Sequence, residues 1–207
     1  DNAVVIALAC RNLPPAQRKW GVIWGAVGAI VLRIVLTYFA VTLLTLPYLK
    51  VIGGALLLWI GVKLIAEEED EAEGEGGEKV AASDKLMAAV RTVIVADLVM
   101  SIDNVLGVAA AAKGSLLLLV FGLVVSIPLV IAGSQVIMRL IERFPILILA
   151  GGGLLGWVAG EMIVEDGALE PWIEGHAHVL HWMVPVAGVL LVVAVAKWMQ
   201  SRQAAGA

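Results

Sequence analysis

Apolar residues along this chain fall into long unbroken runs at 20 to 46, 48 to 66, 86 to 112, 115 to 138, 146 to 164 and 179 to 198, with charged residues or Pro and Gly between them. Such runs, near 20 residues, cross a hydrocarbon layer of ~30 Å as α-helices. Residues 1 to 10, DNAVVIALAC, are apolar up to Arg11 and read as the back half of a further membrane helix, whose front half is expected upstream. The pattern predicts an all-α, polytopic membrane protein of about seven transmembrane helices. Composition agrees, since 61% hydrophobic and only 15% charged residues in 207, with mean hydropathy +0.97, exceed what one soluble core can bury. The single cysteine, Cys10, excludes an intramolecular disulfide.

The pattern also repeats. Asp1-Asn2-Ala3-Val4-Val5-Ile6-Ala7-Leu8-Ala9 returns as Asp103-Asn104-Val105-Leu106-Gly107-Val108-Ala109-Ala110-Ala111. Pro47 with Gly53-Gly54-Ala55-Leu56-Leu57-Leu58-Trp59 returns as Pro145 with Gly151-Gly152-Gly153-Leu154-Leu155-Gly156-Trp157, at a constant offset of 98 residues. Each copy holds three helices, an odd number, so the second enters the membrane from the opposite side. The expectation is two inverted three-helix repeats plus a seventh helix, an architecture typical of secondary transporters. By residue, this gives a first repeat at 1–66, an acidic linker at 67–84, a second repeat at 85–166, an outer loop at 167–178 and the seventh helix with its tail at 179–207.

Charge sets the orientation. With seven alternating spans, Arg11, Arg18, Lys19, Lys63, Lys79, Lys85, Arg91, Arg139, Arg143, Lys197 and Arg202 share one side, and only Lys50 and Lys113 lie opposite. The rich side is expected to be cytoplasmic, which puts the N-terminus outside and the C-terminus inside a cell membrane. The linker EEEDEAEGEGGEKVAASD then lies in the cytoplasm and reads as a solvated tether. His176, His178 and His181 form H-x-H-x-x-H at the outer end, a spacing that could chelate a metal on exit but reads first as solvated, as do Glu165, Asp166, Glu170 and Glu174. The runs Gly25-Ala26-Val27-Gly28 and Gly151-Gly152-Gly153 read as close helix packing, and Pro128 with Ser126 as a kink in the fifth span.

Candidate chemistry lies inside the spans. Asp1 precedes Arg11 by ten residues and Asp103 precedes Lys113 by ten, about 15 Å along a helix, or half the hydrocarbon thickness. Asn2 and Asn104 bring amide oxygens to the same depth. Asp97 stands seven residues before Asn104, on nearly the same helix face, with Ser101 between them, and Glu161 lies in the sixth span. An acid at a helix centre costs about 2.5–3.5 kcal/mol on insertion scales, and a bound cation would explain several at once. Carboxylate and amide donors suit Mg²⁺, Ca²⁺ or Mn²⁺ and leave all three open. Without a cation, the acids could instead pair with Arg33, mid-helix in the second span, or stay protonated and hydrogen-bonded to neighbouring helices. Arg33 itself reads as locking a helix or balancing an acid, and Lys63 as snorkelling to the cytoplasmic surface.

The stretches DNAVVIALACRNLP, VADLVMSIDNVLGVAAAA and GGGLLGWVAGEMI resemble the TerC family of integral membrane proteins, over nearly the whole chain. That family is annotated for tellurium resistance and associated with manganese efflux, with supply of manganese to exported proteins and, in plants, with thylakoid assembly. The resemblance implies a site of Asp1, Asn2, Asp97, Asp103 and Asn104, with Glu161 as a sixth candidate. It puts Mn²⁺ first among the cations, as transported substrate rather than resident cofactor. The function expected is efflux of a divalent cation by alternating access, with protons as candidate exchange partners. The alternative is a membrane chaperone or scaffold through which no ion crosses. Neither H-E-x-x-H nor G-x-S-x-G is present, so no catalytic residues are expected. The expected partners are the lipid bilayer and the metal ion, with a homo-oligomer left open and nucleic acid not expected.

Overall fold

In a computed structural model, the described backbone covers residues 2–44, 46–66, 82–111 and 116–206; side chains at 40–44, 82, 103–111, 116, 118–120, 123 and 203–206 lie outside the description. Every regular element among the described residues is an α-helix: α1 (Asn2–Cys10), α2 (Pro15–Leu44), α3 (Leu49–Ala66), α4 (Ala82–Ala111), α5 (Leu116–Arg143), α6 (Ile146–Val164), α7 (Glu170–His176) and α8 (Leu180–Gly206). Five stretches among the described residues are long and apolar enough to cross a membrane: Pro15–Phe39, Leu49–Ala66, Val124–Arg143, Ile146–Val164 and Leu180–Arg202. Large apolar side chains such as Tyr38, Leu117, Leu129 and Leu190 point outward, which suits a surface solvated by lipid. The element not anticipated is α7. Pro171 sits in its first turn, where a fixed φ and a missing N–H cost a helix nothing, so part of the 167–178 segment expected as a loop is helical.

The helices form two compact units, and each unit draws on both halves of the chain. The first takes Asp1–Leu46 and Ala81–Arg143, the second Pro47–Val80 and Phe144–Ala207. In the first unit α2 packs on α4 and α1 on α5, with further pairings of α1 with α4, α2 with α5, α1 with α2 and α4 with α5. Glycines set the α2–α4 approach: a Cβ on Gly25 would lie 3.0 Å from Val93 Cγ1, and one on Gly28 2.6 Å from Ile94 Cδ1. Gly21 faces Leu86 and Gly25 faces Val93, so α2 and α4 run in the same direction.

In the second unit α6 packs against both α3 and α8, again through small residues. A Cβ on Gly54 of α3 would sit 2.7 Å from the carbonyl oxygen of Ala159, and one on Gly188 of α8 2.1 Å from that of Gly156. Backbones this close gain dispersion contacts where lipid supplies no hydrophobic drive between helices. The small-residue runs are thus packing surfaces. Gly54 meets Ala159 while Gly61 meets Gly152, and Gly160 meets Pro185 while Gly156 meets Gly188; α6 therefore runs antiparallel to both neighbours.

Side chains close both ends of α3. The Asp166 carboxylate accepts from the backbone N–H groups of Tyr48 (3.1 Å), Lys50 (3.0 Å) and Val51 (3.3 Å), where the first helical turn has no partners of its own. Gln200 Nε2 donates to the carbonyl of Ile65 at 3.2 Å. Asp166 also accepts from Ala168 N at 3.0 Å and is only 1% exposed, so it is a buried cap and not the solvated acid expected from its loop. Tyr48 reaches this junction with φ 63, a left-handed conformation that costs a non-glycine residue about 1–2 kcal/mol.

Candidate functional site

The first unit holds a polar cluster in an apolar setting. Close packing at Gly25 and Gly28 brings the later turns of α2 against the middle of α4, where Arg33 meets Asp97 and Ser101. The Arg33 guanidinium forms an ion pair with Asp97 through Nη2 and Oδ1, and its Nε donates to Ser101 Oγ at 3.0 Å. Asp97 and Ser101 are four residues apart, one above the other on the helix, and the Ser101 hydroxyl donates to Asp97 Oδ2 at 3.1 Å. Asn2, at the start of α1, closes the ring. With its oxygen toward Arg33 and its nitrogen toward Asp97, it accepts from Nη2 at 2.8 Å and donates to Oδ1 at 3.2 Å. The opposite amide orientation pairs neither end.

Asn2, Arg33 and Asp97 border a cleft whose walls are otherwise mostly apolar, including Val5, Ile6, Ala29, Val93 and Met100, with Ser126 and Val130 contributed by α5. The Asp97 side chain is 5% exposed and that of Arg33 13%. One negative and one positive group cancel, and each lone pair and N–H named above has a partner. Such a pair is weakly stabilising as a whole, yet removal of either member leaves a buried charge that costs several kcal/mol.

Among the six candidate residues, the structure joins Asn2 and Asp97. Asp103 and Asn104 lie on the backbone of α4, but their side chains, like Asp1, fall outside the described residues. Glu161 belongs to α6 in the second unit, near the C-terminal end of that helix. Among the described residues no three Asp, Glu, His or Cys side chains converge to hold a metal ion. From α7 to the first turn of α8, the His176 ring stacks on Trp172 with centroids 5.6 Å apart, while His178 and His181 tilt together at 5.4 Å. Lys63 reaches back over Trp59, 5.6 Å from its ring centroid. Arg33 pairs with an acid, one of the roles its mid-helix position allowed.

The model of the integral membrane protein TerC family matches residues 1–204. The chain is 43% identical over 193 residues to the uncharacterized membrane protein YjbE of Bacillus subtilis, covering 93% of this chain and 85% of that one. It is 30% identical over 166 residues to YceF, an uncharacterized membrane protein of the same organism, covering 78% and 64%. It is 26% identical over 181 residues to the inner membrane protein YgdQ of Escherichia coli K12, covering 80% and 75%. No solved structure matches.

Proposed function

We propose, from the premise that the chain belongs to the integral membrane protein TerC family, that it carries a divalent cation, Mn²⁺ before Ca²⁺ or Mg²⁺, out of the cell by alternating access. The observation that carries this reading is the buried ring of Asn2, Arg33, Asp97 and Ser101 beside a cleft. Ionisable groups inside spans are costly and mark ion pathways, and this ring offers the hard oxygen donors such ions prefer. Asp1, Asp103 and Asn104 complete the proposed ligand set within the chain segments of the first unit, and Glu161 of α6 is proposed as a separate candidate ligand.

Topology supports the same reading. Exchanging α1 with α4, α2 with α5 and α3 with α6 maps α2–α4 onto α1–α5, α1–α2 onto α4–α5, and each of α1–α4, α2–α5 and α3–α6 onto itself. Two inverted repeats related by a pseudo-twofold would pack in this way. Parallel α2 and α4, and α6 antiparallel to α3 and α8, suit seven alternating spans, with the N-terminus outside and the C-terminus in the cytoplasm. YgdQ is an inner membrane protein by name, and we assign this chain to the same membrane. A second copy as partner and a contribution to tellurium resistance belong to the same proposal.

One observation favours the second reading, a membrane chaperone or scaffold. The ring pairs one negative with one positive group and links its members by hydrogen bonds, so it could stabilise the fold with no ion involved. Proteoliposomes separate the two. Saturable Mn²⁺ flux exceeding that of Ca²⁺ and Mg²⁺, and lost in Asp103→Asn, is expected of the transporter. Correctly inserted protein that moves none of the three ions would leave the scaffold.

A further inference from the structure

In the ring, Nη2 and Nε of the guanidinium lie on oxygens that a metal ion would want. Arg33 Nη2 covers Asn2 Oδ1 at 2.8 Å and also Asp97 Oδ1, and Nε covers Ser101 Oγ at 3.0 Å. These are hard donors of the type that Mn²⁺, Ca²⁺ and Mg²⁺ select. A guanidinium and a divalent ion cannot share them, because like charges about 4 Å apart in a poorly polarisable interior repel by several kcal/mol. We infer that Arg33 is a tethered rival of the transported cation: an ion reaching Asn2, Asp97 and Ser101 must displace the guanidinium, and the guanidinium's return helps expel the ion. The inference rests on the transporter reading above.

The residue type suits the task. Arginine keeps its charge at any physiological pH and presents a rigid fork that spans several acceptors at once. Its competition is therefore permanent. The mid-helix position also keeps it within reach of Asp97 when displaced, so the carboxylate is never left far from a positive charge after the ion departs. A carrier must bind its ion weakly enough to release it, and an intramolecular competitor lowers affinity without removing a ligand. A mere strut behaves in the opposite way, because losing it loosens the cleft and weakens binding.

Mn²⁺ binding to the purified full-length chain, read from the electron paramagnetic resonance signal of free Mn²⁺, distinguishes the two, with thermal unfolding as the check on folding. Arg33→Gln should bind Mn²⁺ about tenfold tighter than wild type, or more, and release it more slowly in proteoliposomes. Arg33→Lys, which keeps the charge but loses the fork, should fall between them; it also serves if the Gln variant does not fold. Adding Asp97→Asn to Arg33→Gln should abolish the gain. Affinity that falls or stays unchanged in folded Arg33→Gln or Arg33→Lys, while wild type binds and transports Mn²⁺, would overturn the rival role and leave the transporter standing. Absence of Mn²⁺ binding in wild type and in folded variants would remove both.

Discussion

The two units handle polar groups in opposite ways. Among the described residues, the second unit keeps them toward helix ends: Asp166 and Gln200 cap α3, Lys63 lies in its last turn, and Glu161 lies near the end of α6. Its middle is glycine against backbone. The first unit places Arg33, Asp97 and Ser101 in the body of long helices, and a cleft reaches Arg33 and Asp97. On the proposed function, the contrast gives rigidity to the glycine-packed unit and transport to the one with a charged interior.

Substitutions can break that contrast at several strengths. The largest effect on stability is expected from Arg33→Ala, which strands the Asp97 carboxylate and should cost about 3–5 kcal/mol, read as a lowered unfolding temperature in detergent. If the guanidinium competes with Mn²⁺, the added ion should restore part of that loss. Next comes Asp166→Ala, which removes the acceptor of four backbone N–H groups and should cost about 2–3 kcal/mol, with faster hydrogen exchange at the start of α3 as its local signature. Gly188→Ala places a methyl group 2.1 Å from the Gly156 carbonyl oxygen; forcing α6 and α8 apart should cost about 1–3 kcal/mol. The smallest change is Arg202→Gln, which removes only a guanidinium stacked 4.4 Å from the Trp198 ring at the surface and should stay near 0.5–1 kcal/mol in the same unfolding assay.

Much of the helical pattern was legible because its cause is local. Apolar runs of membrane length, bounded by Arg11, Pro47 or Pro145, need no tertiary knowledge. The glycine runs were legible as packing surfaces for the same reason, although their partners were not: nothing in Gly156 itself points to Gly188. Asp166 shows where reading stops. The Asp-Gly step after α6 signals a turn, and the bond from Ala168 N is of that local type. Its capping of α3, 115 to 118 residues away, depends on how the chain folds back. Helix α7 hid in a stretch of seven residues, too short to show a period. At the site, the i, i+4 spacing made Asp97 and Ser101 neighbours in advance, and Arg33 stood out as a mid-helix charge. That the two would meet, with Asn2 bridging them, required the α2–α4 register set by Gly25 and Gly28.

The most direct test sets one acid of each unit against the other: Mn²⁺ flux into proteoliposomes for Asp97→Asn and Asp166→Asn, normalised to inserted protein. The expected result is loss of flux in Asp97→Asn and retained flux, with lowered thermal stability, in Asp166→Asn. Wild-type flux in Asp97→Asn, or loss confined to Asp166→Asn, would contradict the assignment of transport chemistry to the first unit.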